Sequence, residues 1–231
     1  MVLFTHVTTH VKTDPYQTML SEMGFTGFPS VAILDAEGRF VEGHVGGAKL
    51  DGLVSMLEKA QTYAKDVIAK ADAGDKEAQK RFFLDRVERG SIRLADAVKG
   101  LEQIANLTKE ERSKVEAKLP TLEMNLINGT AWQDRPAANA KLAAMFKAGR
   151  IPAGELDANR FLSLVLMDAE AKKDVQLFEA ALAKIKVLSA GNPRGKQQID
   201  AVEKRLEKLK EAAKGADGQS GGGTAAKRET K

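Results

Sequence analysis

Few side chains of this sequence have the type and spacing that enzymatic chemistry requires, and the three histidines come first among them. His6 and His10 lie four residues apart and could contact a metal ion together with Asp14 or Glu22. They fall in a strand-to-loop stretch rather than on one helix face, and zinc-type spacing is lacking. We therefore expect no metal site: His6 is interpreted as a strand residue, and His44 is expected to face solvent from a hairpin strand.

Nucleophiles and phosphate-binding loops give no stronger signal. Ser21, Ser30 and Ser55 stand in helix or strand contexts without the flanks of a catalytic serine. The Gly46-Gly47 pair lacks the lysine and the strand–loop–helix order of a phosphate loop. Cysteine is absent, so this chain can form no disulfide and perform no thiol chemistry. We expect no catalytic residue and no cofactor.

The composition describes an ordinary soluble protein of 231 residues, long enough for one large domain or two small ones. Hydrophobic residues make up 43% and charged residues 29%. The 36 basic and 32 acidic residues are spread along the chain, which argues against a nucleic-acid binder. No stretch is long and apolar enough to span a membrane. Met1–Val7 lacks a signal peptide's basic region, so we expect a cytoplasmic protein as written, although a full-length relative could be exported.

One stretch near the N-terminus predicts a β-hairpin followed by a helix. Pro29 precedes the apolar run Val31–Leu34, and the residues Asp35–Gly38 then supply a turn containing glycine before a second strand that starts at Arg39. Because proline cannot donate to a sheet ladder, Pro29 should stand at the start of its strand. A helical pattern begins near Leu50.

This order resembles the C-terminal half of a thioredoxin-like domain. In that family a Gly-apolar-Pro-Thr stretch is followed by a hairpin, a glycine pair and a last helix. The matching segments here are Gly27-Phe28-Pro29-Ser30, with serine in place of the usual threonine, the hairpin Val31–Val45, Gly46-Gly47, and Leu50–Tyr63. The resemblance covers roughly the first quarter of the chain.

The resemblance implies a cis Phe28–Pro29 peptide bond and a peptide-binding site. In thioredoxin-like proteins this edge pairs with an extended substrate segment, which implies contact with a substrate or peptide at Phe28, Pro29 and Ser30. The alternative is that the cis bond only shapes the entry into the strand.

The other half of such a domain, with its Cys-X-X-Cys helix, has no counterpart here. Val2–Val7 is predicted to be a strand and Tyr16–Met23 a short helix. In the thioredoxin-like family another strand, which has no counterpart here, would pair with the strand at Val2–Val7. The chain could be a fragment of a longer protein, Val2–Val7 could pair directly with Val31–Leu34, or another chain could complete the edge. We favour a truncated or mis-started gene product, and an oligomer through the unpaired strand edge remains open.

From Leu50 onward every periodic segment predicts helix. One long helix is expected over Leu50–Ala71, and the break at 72–75 is followed by helices near 78–87, 94–107, 108–127, 136–147, 155–171, 175–189 and 195–214. Thr108 and Glu111 predict a capping box, Pro120 a kink or split, and 128–130 a turn before a loop with Trp132. The short connections predict helical hairpins that resemble tetratricopeptide-type repeats, most of all in Val175–Leu209, without a clean period.

The predicted fold class is therefore α+β. A partial thioredoxin-like hairpin–helix unit (1–65) precedes an all-helical domain of solenoid or bundle type (66–214) and a disordered Gly/Ser-rich tail (215–231). Two functions are compatible with this organisation. The chain is either a truncated member of a family related to thiol/disulfide oxidoreductases, non-catalytic as written, or a protein–protein interaction module built on helical pairs. Both predict a protein or peptide partner, and neither a nucleic acid nor a membrane.

The lack of cysteine makes a direct prediction. The purified chain should not accelerate the reduction of insulin by dithiothreitol, because it has no sulfur nucleophile. The measurement is the turbidity of precipitating insulin B chain, with a Cys-X-X-Cys thioredoxin as the positive control. Acceleration above the rate with dithiothreitol alone would refute the prediction that the chain is non-catalytic.

Overall fold

The computed structural model of the chain describes residues 19, 23–25, 29–47, 49–131, 133–190 and 193–217. Several expectations fall outside these residues: the strand Val2–Val7, His6 and His10, most of the Tyr16–Met23 helix, Phe28 with the Phe28–Pro29 bond, Trp132, and the tail from 218 onward.

The described chain has α+β architecture, with a small sheet followed by helices, in agreement with the predicted class. The sheet consists of two antiparallel strands, β1 (Ser30–Leu34) and β2 (Phe40–Val45). The α-helices are α1 (Leu50–Tyr63), α2 (Ala69–Asp72), α3 (Lys76–Arg89), α4 (Leu94–Gln103), α5 (Lys109–Thr130), α6 (Arg135–Lys147), α7 (Glu155–Lys172), α8 (Val175–Leu188) and α9 (Pro193–Asp217).

The hairpin turn is stabilised by its own aspartate. Asp35 Oδ1 accepts hydrogen bonds from the backbone N–H groups of Glu37 (3.1 Å) and Arg39 (2.7 Å), an arrangement typical of Asx turns. Gly38 has φ +77°, a conformation that glycine adopts without steric cost. The predicted hairpin is thus present, and the Asp-Ala-Glu-Gly sequence forms the predicted turn.

The helix ends follow the local sequence signals. Asp75 caps α3 by accepting from Ala78 N (2.8 Å), and left-handed Gly90 ends that helix. The predicted capping box at the start of α5 is confirmed, because Thr108 Oγ1 accepts from Glu111 N (3.1 Å) and Glu111 Oε2 accepts from Thr108 N (2.8 Å).

Several boundaries differ from prediction. The turn predicted at 128–130 is wrong, since α5 continues through Thr130. Burial of Met124 and of Ala131 at the C-cap keeps this end in the core, so packing overrides the turn preference of Asn-Gly. Pro120 lies within α5 and does not split it. The last helix extends to Asp217, beyond its predicted end at 214.

The long helix predicted over Leu50–Ala71 is continuous, but it contains an unpredicted π-helical segment, Ala64–Ile68, between α1 and α2. Val67 and Ile68 are both buried there. In an α-helix, successive side chains point in directions 100° apart. The wider π-helical turn changes this angle and therefore changes which side chains face the core.

The chain divides into two compact units. The first contains the described residues of Met1–Ala138 together with Arg150–Ala153, and the second contains those of Asn139–Gly149 and Gly154–Lys231. The domain boundary expected at 65/66 stays a prediction, and it falls inside the π-helical segment. In the first unit one hydrophobic core cluster consists of Phe83, Val87, Ile92, Ala97, Leu101, Val115 and Leu122.

The second unit consists of helices that pack in sequence. α7 packs on α8, and α8 packs on α9. The buried side chains on α7 and α8 include Phe161, Leu162, Val165, Leu166, Phe178, Leu182 and Ile185. Arg205 on α9 donates to both carboxylate oxygens of Glu170 (2.7 and 2.6 Å), which joins α9 to α7.

The α3–α4 packing makes a prediction at Gly100. A Cβ at this position would lie 2.1 Å from Cε2 of buried Phe83, so we expect Gly100→Ala to lower stability by about 1–3 kcal/mol through overpacking. The measurement is the thermal unfolding midpoint by circular dichroism.

Gly52 in α1 supplies the matched control, because its Cβ would meet no heavy atom within 4 Å. Gly52→Ala should raise stability by about 0.5 kcal/mol through helix propensity alone. Stabilisation by Gly100→Ala as well would contradict the tight α3–α4 packing.

Candidate functional site

Pro29 lies exposed directly before β1, at the open end of the hairpin. Its carbonyl oxygen accepts a hydrogen bond from the N–H of Gly46 (2.7 Å), the first residue after β2. This hydrogen bond joins the residue before β1 to the residue after β2. The predicted placement of proline at the start of its strand is therefore observed.

Ser30 is the first residue of β1, is partly buried, and pairs with Val45. Pro29 and Ser30 thus stand consecutively at the hairpin end, whereas Phe28 lies outside the described residues. The peptide contact expected at these three positions stays a prediction.

The Gly46–Pro29 bond also determines which backbone groups of β1 point away from β2. In an antiparallel pair, hydrogen-bonded and non-hydrogen-bonded residue pairs alternate. Pro29 belongs to a hydrogen-bonded pair and the register places Ala32 opposite Gly43, so Ala32 belongs to a non-hydrogen-bonded pair. The N–H and C=O of Ala32 therefore point to the side of β1 opposite β2.

Phe25 covers part of the hairpin, and sequence reasoning missed this residue. Its ring packs edge-on against that of Phe40, with centroids 5.7 Å apart and an interplanar angle of 78°. Space for the ring exists because residue 43 is glycine: a Cβ there would lie 2.5 Å from Phe25 Cζ. Gly24, interpreted from the sequence only as a helix end, was the available signal that this segment packs closely. A Cβ at Gly24 would lie 2.4 Å from the carbonyl oxygen of Arg89.

Arginines connect the hairpin to the helices. Arg39 donates to Asp35 (2.6 Å) and to both carboxylate oxygens of Asp72 (2.7 and 2.8 Å) at the end of α2. Arg89 on α3 donates to the backbone oxygen of Val41 (2.8 Å). The strands are thus attached to two helices by directed bonds, in addition to the cluster of Val41, Ala60 and Ile68.

Burial and pairing shift several pKa values around this junction. Burial, together with a hydrogen bond to Asp85, raises the pKa of the Tyr63 hydroxyl, so this group stays protonated. Burial lowers the pKa of Arg86, whereas the hydrogen bond to Asp72 raises that of Arg39. None of these shifts brings a group into the range of a general acid or base near neutral pH.

A cleft of about 400 Å³ lies between β2 and α1. It is lined by Glu42, Gly43, His44, Gly47, Lys49, Gly52, Ser55, Met56 and Lys59. His44 is exposed, as predicted. Among the described residues, no group of three or more histidine, cysteine, aspartate or glutamate side chains could hold a metal ion.

Comparisons with known proteins give no assignment: no family model, no curated protein and no solved structure matches this chain. The thioredoxin-like resemblance therefore depends on the residues and their order alone. Within the described part of the chain, every helix is too short or too polar to cross a bilayer.

The packing of Phe25 predicts that Gly43→Ala loosens the hairpin. The new methyl group would meet Phe25, Phe40 (2.8 Å) and the backbone oxygen of Val31 (2.9 Å), and the backbone contact cannot be relieved by a rotamer change. We expect hydrogen–deuterium exchange in β1 and β2 to rise at least tenfold, measured by mass spectrometry. Gly47→Ala is the control, because its Cβ would meet nothing within 4 Å. Equal exchange in both variants would contradict this packing.

Proposed function

We propose that this chain is a non-catalytic, thioredoxin-like protein whose hairpin binds an extended peptide segment along β1. The observation that carries the proposal is the orientation of Ala32, whose N–H and C=O point away from β2 next to the exposed Pro29. A strand with such groups can accept another strand by main-chain hydrogen bonds.

The position of Pro29 supports this mode of binding. Because proline has no N–H, its exposed ring offers an apolar contact at the end of the ladder without an unsatisfied donor. The bond from Gly46 holds this position in place before a ligand arrives, which lowers the entropy lost on binding. By the resemblance, Phe28 and Ser30 would complete the contact.

The function is binding rather than redox catalysis, because the chain has no cysteine to act on a thiol or disulfide. Membership of a family related to thiol/disulfide oxidoreductases is part of the proposal, with this chain as a truncated form. Hydrogen bonds to the peptide backbone would give affinity that depends little on peptide sequence, and side-chain contacts next to Pro29 would give the selectivity.

The second unit favours an alternative, an interaction module of helical pairs of solenoid or bundle type. Its helices pack in sequence, and large apolar side chains are exposed among its described residues, most of all Leu156 (84%) and Val187 (71%). A protein partner could cover these residues. The peptide-binding hairpin is preferred because it presents main-chain donors and acceptors as well as apolar surface.

The test is a selection from a phage-displayed library of random dodecapeptides, followed by affinity measurement of the enriched peptides by fluorescence anisotropy. Ala32→Pro removes the outward N–H, and proline is tolerated where the N–H of an edge strand does not bond the neighbouring strand. We expect at least tenfold weaker peptide binding with the β1–β2 pairing retained.

Ala32→Ser is the matched control, since it keeps the N–H and nearly the same volume, and its affinity should stay within twofold of the parent. Circular dichroism and hydrogen exchange check that both variants retain the hairpin. Failure to enrich any peptide, or equal binding by Ala32→Pro, would disprove docking along β1. Loss of binding on Leu156→Ser instead would favour the helical unit.

A further inference from the structure

The cleft between β2 and α1 (Glu42, Gly43, His44, Gly47, Lys49, Gly52, Ser55, Met56 and Lys59) is distinct from the edge of β1. We infer that this cleft binds a small organic molecule that carries phosphate or carboxylate groups at both ends. The inference is independent of peptide docking and depends on three features of the cleft: its charges, its dimensions and its glycines.

The cationic side chains of the cleft have no anionic partner in the described part of the chain. Lys49 and Lys59 are exposed, and neither lies within 4.0 Å of a described carboxylate. Of the sixteen other described lysines and arginines of the first unit, seven have such a partner, Arg39 and Lys80 among them. The cleft therefore retains positive charge that a ligand can neutralise.

The single carboxylate in the lining is already engaged. Glu42 Oε1 accepts from the backbone N–H of Gly43 (3.0 Å), and Glu42 Oε2 lies 3.7 Å from Arg89 Nη1. Arg89 thus offsets the charge of Glu42 from outside the lining, and the lysines remain available. His44 and Ser55 also line the cleft and add hydrogen-bonding groups to it.

The spacing of the lysines indicates an elongated ligand. Lys59 follows Lys49, the N-cap of α1, by ten positions, which corresponds to about 15 Å along the helix axis. A molecule with an anionic group at each end can contact both ammonium groups without requiring the two side chains to converge on one point. Buried Met56 supplies an apolar surface for the carbon skeleton in between, and the volume of about 400 Å³ lies within the range of small-molecule sites.

The glycines of the cleft distinguish it from an ordinary surface depression. Gly43 is required by the packing of Phe25, but Gly47 and Gly52 have no such requirement. Neither has a φ in the left-handed region, and a Cβ at either position would meet no atom within 4 Å. Glycine inside a helix costs about 0.5–1 kcal/mol relative to alanine. Gly47 and Gly52 thus line the same cleft without a packing requirement for glycine, and a larger side chain at either position would narrow the cleft.

The experiment titrates the full chain by isothermal calorimetry with three probes at about 50 mM salt, where charge interactions are weakly screened. Fructose 1,6-bisphosphate tests phosphate ends, adipate tests carboxylate ends, and inorganic phosphate tests a single anionic group. We expect saturable binding of at least one two-ended probe and at least tenfold weaker binding of inorganic phosphate. The stronger of the two-ended probes identifies the ligand chemistry.

Variants separate a built site from diffuse attraction. Lys49→Gln and Lys59→Gln should each weaken binding at least tenfold, whereas Lys65→Gln, which removes an exposed lysine outside the lining, should leave it within twofold. Gly52→Gln should abolish binding yet raise the thermal midpoint, because it fills the cleft and favours helix.

Three results would overturn the inference. These are no saturable binding of either two-ended probe, equal weakening by Lys65→Gln and Lys49→Gln, or retained binding by Gly52→Gln.

Discussion

The attachment of the hairpin to the C-terminal end of α3 is the constraint on which the first unit depends. A two-stranded hairpin alone is at best marginally stable in water, so β1 and β2 need a third element. Arg89 provides it by donating to Val41 O, the carbonyl of a residue that is 2% exposed. Its own carbonyl, beside Gly90, lies so close to Gly24 that no Cβ fits between them. One helix end therefore holds β2 and also the segment that carries Phe25.

This attachment also determines the electrostatics of the surfaces nearby. The same Arg89 guanidinium that binds Val41 O lies 3.7 Å from Glu42, so the hairpin junction and the cleft share a cation. Loss of Arg89 would leave the Glu42 carboxylate without this cation and lower the net positive charge around the cleft. The strands are held by directed bonds as well as by apolar burial, and such support is what precise binding requires.

The elements that could be predicted from the sequence are those with a local cause. The hairpin turn follows from Asp35 and Gly38, and the start of α5 from Thr108 and Glu111, because each signal acts within four residues. The features that could not be predicted have distant causes. Thr130 stays helical through core packing, the π segment buries adjacent Val67 and Ile68, and Phe25 packs on a residue eighteen positions away. Of the candidate site, the sequence located Pro29 but not the cleft, whose lining comes from two elements.

Glycine illustrates how structure separates the residues that a fold requires from those that it only tolerates. In sequence, Gly43, Gly52 and Gly100 are alike: each interrupts an element in which a larger residue would be favoured. The structure assigns Gly43 and Gly100 to close packing against aromatic rings. Gly52 has no such neighbour, so its cost in helix propensity has no compensation within the fold. Natural sequences concentrate such local violations at functional sites, and Gly52 lines the cleft for which we infer a ligand.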